Sequence, residues 1–140
     1  MSNLVDLAKW LNELPVQLEP QRSELYHAAT GQQERILART VSGISVDLQP
    51  FAPYSPATGK NPPVNLTESG DMLASMTVIA DNDEAHVLFA DEEQAQIARY
   101  HNEGTDRLPQ RFFFGVSLQD REDIIADIRA GLFRRVNDLG

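Results

Sequence analysis

Residues 75–90 read SMTVIADNDEAHVLFA, and this stretch decides the fold class. Two apolar runs, residues 75–80 and residues 85–90, have the length of β-strands and flank the polar triplet 81–83. The triplet is Asp-Asn-Asp, which favours a turn because these side chains bond their own backbone and tolerate a left-handed conformation. The stretch therefore predicts a β-hairpin of two antiparallel strands.

Helical patterns lie on both sides of this hairpin. Residues 21–42 are predicted to form a helix with a thin apolar stripe that ends at Gly43. Downstream, Asp91 is expected to cap a helix that ends at Gly104. A long C-terminal helix is predicted after Ser117 by apolar residues at helical spacing: Ile124, Ile125, Ile128, Leu132, Val136 and Leu139. The expected fold class is α+β, a small antiparallel sheet packed with helices.

Three shorter segments complete the predicted outline. Residues 4–14 form an amphipathic pattern that Pro15 ends, so a first helix is expected there. A short helical turn, capped by Thr67 or Ser69, is expected to reach residue 73. Residues 108–116 contain three consecutive phenylalanines and are predicted to form a short buried strand.

A proline-rich stretch separates the N-terminal helices from the hairpin. Five of the eight prolines lie between residues 44 and 65, where they limit strand formation. The stretch also carries Phe51 and Tyr54, which a solvated linker does not need. Two interpretations are open: an arm that docks on a neighbouring subunit through these aromatics, or a surface loop.

The length of 140 residues fits one domain, so a single domain spanning residues 1–140 is expected. Its parts are a helical N-terminal region (1–43), the proline-rich loop or arm (44–65), and the remainder (66–140). That remainder holds the hairpin, a helix, the short strand and the C-terminal helix.

Composition excludes several function classes. The chain has no Cys, which rules out disulfide scaffolds, cysteine-based zinc sites and a thiol nucleophile. Twelve Lys+Arg against 21 Asp+Glu give a net charge of −9, which argues against an ordinary nucleic-acid binder. No apolar run approaches the roughly 20 residues of a bilayer-spanning helix, so no membrane association is expected.

Catalytic and metal-binding patterns are weak. His101 and Glu103 lie two residues apart at a helix end, and such residues do not share a helix face. No H-E-x-x-H, P-loop, dinucleotide or EF-hand spacing occurs. The expectation is a protein that is not an enzyme and has no cofactor or metal site. A small acidic enzyme or metal-dependent regulator using this pair is kept as an alternative.

Two stretches together are more specific. Residues 100–105 (YHNEGT) and 108–115 (LPQRFFFG) resemble the signature of tail-completion, or virion morphogenesis, proteins of tailed bacteriophages, and residues 66–76 (LTESGDMLASM) resemble the segment before that family's hairpin. In that family a helix ends in an aromatic-His-x-x-Gly pattern, and a proline-arginine-aromatic segment follows. The residues that carry the resemblance are Leu66, Thr67, Ser69, Gly70, Tyr100, His101, Glu103, Gly104, Thr105, Pro109, Arg111, Phe112, Phe113 and Phe114.

The resemblance implies a structural virion protein of the tail-terminator or head-tail joining type. Such a protein completes the tail and helps join it to the head, as a ring of six copies at the head-proximal end. The implied partners are other copies of the chain, the tail tube protein and the head-tail connector proteins. The implied location is the tail or neck of the virion, after assembly in the bacterial cytoplasm. A head-closure or neck protein of the same virion is the alternative within this class.

The three phenylalanines have two possible roles. In an extended strand, Phe112 and Phe114 point to one face and Phe113 points to the other. One face then joins the core, and the other face is a candidate subunit contact. Burial of all three within one protomer is equally compatible with the pattern.

Overall fold

The computed structural model describes residues 19–55, 59, 64–67 and 70–139. The elements in chain order are α1 (Arg22–Val41), α2 (Asp71–Ala74), β1 (Met76–Ala80), β2 (Ala85–Phe89), α3 (Glu92–Glu103) and α4 (Leu118–Leu139). The fold is α+β: the described residues contain a two-stranded antiparallel sheet and four helices, including the long C-terminal helix that the sequence predicts. The helix predicted over residues 4–14 lies outside the described residues.

The hairpin turn forms where it was predicted. The Oδ1 atom of Asp81 accepts hydrogen bonds from the backbone N–H groups of Asp83 (2.8 Å) and Glu84 (2.9 Å). These two bonds lower the pKa of the Asp81 carboxyl below its ordinary value. The next residue, Asn82, accepts a bond at 3.0 Å from the backbone N–H of Arg22, the first residue of α1. The turn therefore satisfies one of the unpaired N–H groups at the start of that helix.

The chain divides into two compact units. The first contains the described residues of Met1–Gln32, Val78–Val87 and Leu118–Gly140, and the second contains those of Gln33–Thr77 and Leu88–Ser117. Neither unit is a continuous piece of chain. The expectation of a single domain stays a prediction.

The first unit has a helical core. The stripe predicted for α4 is confirmed at Ile125, Ile128 and Leu132, which are buried together with Ala28 of α1. A polar pair is buried in the same unit, where Gln32 Nε2 donates to a carboxylate oxygen of Asp120 at 2.9 Å. Pairing removes the desolvation cost that either group alone would carry.

The second unit contains the start of the proline-rich stretch, which is ordered by backbone contacts. Gly43 has φ 78° and ends α1, as predicted. The chain then folds back so that Ile44 and Pro50 form an isolated antiparallel bridge. Val46 and Phe51 are buried within this unit. The described beginning of the stretch is therefore packed chain rather than a free linker.

The strand predicted over residues 108–116 is wrong, because no strand forms in this described segment. The backbone N–H groups of Phe113 and Phe114 both donate to the same side-chain oxygen of Asn102, at 3.1 and 3.0 Å. Consecutive N–H groups of a β-strand point to opposite sides, so two that converge on one atom exclude that conformation. The segment is held instead by side chains from elsewhere in its unit.

Candidate functional site

The predicted motif is centred on the end of α3, where the chain reverses after Glu103. Gly104 has φ 77°, and its N–H donates to the carbonyl of Tyr100 at 2.8 Å. A Cβ atom at this position would lie 2.9 Å from the backbone nitrogen of Gln110. Both the left-handed backbone and the close approach of the returning chain therefore require glycine.

Asn102 fixes the phenylalanine run to the end of this helix. Besides accepting the two backbone bonds described above, its Nδ2 donates to the carbonyl of Phe114 at 3.0 Å. All three bonds join one side chain to backbone groups, in the way that a neighbouring strand would. The position of the phenylalanines consequently depends on one amide side chain.

Arg111 connects the motif to the proline-rich stretch. Its side chain is only 3% exposed and donates from Nε to the carbonyl of Ala52 (2.9 Å) and from Nη2 to that of Pro53 (3.1 Å). The guanidinium carbon lies 5.1 Å from the ring centroid of Tyr54, within cation–π range. The backbone N–H of Arg111 also donates to the carbonyl of His101 at 2.8 Å. One residue thus holds the motif and the described start of the proline-rich stretch together.

The environment of Arg111 perturbs its ionisation without removing its charge. Burial lowers the pKa of the guanidinium from its usual range, and Tyr54 partly opposes this effect. Arginine nonetheless stays protonated in proteins, so these carbonyl bonds are charge-assisted. In this conformation Phe51 is buried and Tyr54 contacts Arg111. The docking of residues 44–65 on a neighbouring subunit stays a prediction.

Phe113 and Phe114 form an aromatic cluster with Phe89 of β2. The ring centroid of Phe89 lies 6.2 Å from that of Phe113 and 5.1 Å from that of Phe114. The predicted alternation, with Phe113 facing away from Phe112 and Phe114, is therefore wrong for Phe113 and Phe114, since both rings lie against Phe89. The Asn102 bonds explain the difference, because they turn both residues out of the extended conformation.

An open groove of about 240 Å³ lies beside the aromatic cluster. Its apolar lining comes from Phe89, Ala95, Ala98 and Phe114, and Asn102 also lines it. Arg99 and Glu103, also in the lining, form an exposed ion pair with N–O distances of 3.3 Å. The groove is an apolar recess with a charged margin, a form suited to receiving an apolar side chain.

The remaining motif residues have local structural roles. Leu66 is buried. On either side of it, Asn65 and Thr67 are joined, because the Oδ1 atom of Asn65 accepts hydrogen bonds from both the N–H and the hydroxyl of Thr67. Gly70, with φ 78°, directly precedes α2. The Thr105 hydroxyl accepts from the backbone N–H of Leu108 at 3.1 Å. Tyr100 and Pro109 are exposed, whereas Ser69 lies outside the described residues.

His101 and Glu103 each contact a different arginine. The carbonyl of His101 accepts the bond from Arg111, and the carboxylate of Glu103 pairs with Arg99. Among the residues that the structure describes, no group of three or more His, Asp or Glu side chains could hold a metal ion. In the same part of the chain, no helix is long and apolar enough to cross a membrane.

A second recess, of about 350 Å³, lies in the first unit and carries charges of both signs. At its wall the buried Glu24 carboxylate pairs with Arg135, with Nη2 and Oε1 2.7 Å apart, and accepts a bond from the Ser23 hydroxyl. Gly131 faces this pair, and a Cβ there would lie 2.8 Å from Cγ of Glu24. The arrangement stabilises the contact between α1 and α4 within the unit, and its charges do not favour a ligand of either sign.

Comparison of the chain with protein-family models, with curated proteins and with solved structures finds no match.

Proposed function

We propose that this protein is a structural component of a tailed-bacteriophage virion, which completes the tail and helps to join it to the head. The proposal starts from the resemblance of residues 66–76 and 100–115 to the tail-completion family. The observation that carries it further is what the motif residues do. The Gly104 N–H and the side chains of Arg111 and the neighbouring Asn102 each donate a hydrogen bond to a backbone carbonyl. These bonds fix the shape of a surface and do not form a reactive centre.

That use of polar groups favours a binding function over catalysis. A catalytic site needs a nucleophile, acid or base that is free to meet substrate. The bonds of Asn102 and Arg111 are instead made to carbonyl and N–H groups of the same unit. The surface next to them is the groove with its apolar lining, a form suited to binding a side chain of another protein.

The mechanism of the proposed function is the occupation of a tube end. Copies of the chain form a ring by head-to-tail contacts, which close when the rotation between neighbours divides a full turn. The ring covers the last layer of the tail tube, stops further stacking, and presents its other side to the head connector. A net charge of −9 suits a passage for DNA, because an acidic wall does not retain phosphates.

For the test, tail tubes are produced in the absence of this protein. They are then mixed with the purified full-length protein, which carries a gold-labelled tag. Electron microscopy is expected to show label at one end of each tube. Label distributed along the tubes, or no label, would contradict the proposal. Label on DNA-filled heads that lack tails would contradict tail completion and favour the head-closure alternative.

A further inference from the structure

The loop between Ile44 and Pro50 exposes a leucine in an unfavourable backbone conformation. Leu48 has φ 62° and is 67% exposed. Its conformation is fixed by the loop, since its N–H donates to the carbonyl of Ser45 at 3.0 Å and the N–H of Ser45 donates to the carbonyl of Gln49 at 2.8 Å. Positive φ is uncommon for residues other than glycine and asparagine, and a bulky side chain in this region is a marked outlier.

A second leucine shows how such strain is normally offset. Leu66 also has positive φ, 56°, but its side chain is 8% exposed, so burial of its apolar surface compensates for the backbone. Leu48 has the same strain with two-thirds of its side chain in solvent. Strained residues persist only where the surrounding structure holds them in place, as this loop does, and they are concentrated at functional sites. The conformation of Leu48 therefore points to a contact made outside its own chain.

The groove beside Phe89 and Phe114 is a suitable receptor for this side chain. Its volume of about 240 Å³ exceeds that of the engineered cavity of about 150 Å³ that takes up benzene in another protein. Ala95 and Ala98 also line the groove, and their small side chains occupy little of it.

Asp47, exposed next to Leu48 in the loop, and Arg99 at the margin of the groove are of opposite charge and can pair, and the same margin also carries the acidic Glu103. Arg99 is paired with Glu103 on the surface, where both side chains are more than 60% exposed. Exposed pairs of this kind contribute little, so Arg99 can exchange partners at small cost.

We propose that Leu48 of one copy inserts into the groove of a second copy, with Asp47 approaching Arg99 at its margin. The contact joins two different surfaces of the same chain, so it is heterologous and leaves the first copy with a free groove and the second copy with a free loop. Repetition of such a contact produces a ring or a filament. The contact between copies is inferred from the loop and the groove alone. Only the closure of repeated contacts into a ring rests on the proposed function.

The absence of native cysteine allows a clean disulfide-trapping test. Full-length Leu48→Cys and Ala95→Cys variants, each with a different affinity tag, are mixed under mild oxidation, and the mixed dimer is followed on non-reducing gels. The control mixture replaces Ala95→Cys with Gln96→Cys, an exposed neighbour on α3 that does not line the groove. Using two single variants excludes a bridge within one chain.

We expect the Leu48–Ala95 mixed dimer to form about tenfold faster or more than the control, because a specific contact raises the effective concentration of the thiols. Addition of Arg99→Glu to the Ala95→Cys variant should slow its formation. Equal rates in the two mixtures would overturn the inference. Rapid disulfide trapping by a protein that does not bind tail-tube ends would support the contact between copies and contradict the proposed function. Rings that bind tube ends, from a protein that shows no rapid trapping, would support the proposed function and contradict this contact.

Discussion

Asn102 and Phe114 are joined by a reciprocal pair of hydrogen bonds, from the Phe114 N–H to Oδ1 and from Nδ2 to the Phe114 carbonyl, both at 3.0 Å. The side chain at the end of α3 thus takes the place of a strand partner for the phenylalanine run. It also fixes the ring of Phe114 at the wall of the groove. Fold and candidate binding surface therefore depend on the same amide.

Asn102→Asp tests this dependence, since it keeps the acceptor for two N–H groups but loses the donor to the Phe114 carbonyl. We expect the free energy of unfolding to fall by about 1–3 kcal/mol, because a part-buried carbonyl loses its partner and faces a carboxylate. Urea denaturation measures the change. Gln96→Ala, on the exposed side of the same helix, is the control, and a loss no larger than that of the control would contradict the assignment.

Arg111→Lys should detach the start of the proline-rich stretch. A lysine has one compact ammonium and cannot reproduce the two directed bonds to Ala52 and Pro53. We expect a loss of about 1–3 kcal/mol in unfolding free energy and faster proteolysis within residues 50–55. Arg107→Lys changes an exposed arginine nearby and should have no such effect. Matching proteolysis rates in the two variants would show that Arg111 does not hold the stretch.

Glu24 predicts acid sensitivity in the first unit. Burial acts to raise the pKa of its carboxyl, but the bonds from Ser23 and Gln21 and the charge of Arg135 outweigh it, so the pKa lies below its ordinary value of 4.5. A lowered pKa contributes stability that is present above 4.5 and is lost as the pH falls through the folded-state value.

Glu24→Gln should therefore reduce the decline in stability below pH 4.5, compared with the parent protein. Thermal denaturation from neutral to acid pH measures this, with Glu93→Gln, an exposed carboxylate, as the control. Parallel pH profiles for the parent and Glu24→Gln would rule out a stabilising contribution from this carboxylate.

Leu48→Gly separates folding from association. Glycine adopts positive φ without strain, which offsets its larger entropy loss on folding, so the monomer should be unchanged or more stable by up to about 1 kcal/mol. Association between copies should weaken, because the inserted side chain is gone. Denaturation and sedimentation of the same preparation provide both readouts. A destabilised monomer, or association equal to that of the parent, would contradict the assigned role.

The sequence predicts those parts of the fold that depend on local patterns. The hairpin follows from the Asp81 turn, and the C-terminal helix follows from the spacing of its apolar residues. The same patterns failed for residues 108–116, where apolar composition favoured a strand. The deciding interactions were long-range bonds from Asn102, whose only local signal was an amide near a helix end.

The groove and the exposed loop were also beyond the reach of pattern reasoning. Phe89 and Phe114 lie far apart in sequence and meet only in the folded unit. Leu48 has none of the glycine or asparagine character that marks a left-handed position, so composition predicts nothing unusual there. The motif at residues 100–115 could be identified from the sequence, but its physical role required the contacts of Arg111 and Asn102.

The central claim is that this protein completes a phage tail, and it is tested most directly by electron microscopy of particles assembled without it. The measured quantities are tail length and the fraction of tails attached to DNA-filled heads. We predict overlong or ragged tails that are not joined to heads, with restoration when the intact protein is supplied. Tails of normal length attached to DNA-filled heads in its absence would contradict the account.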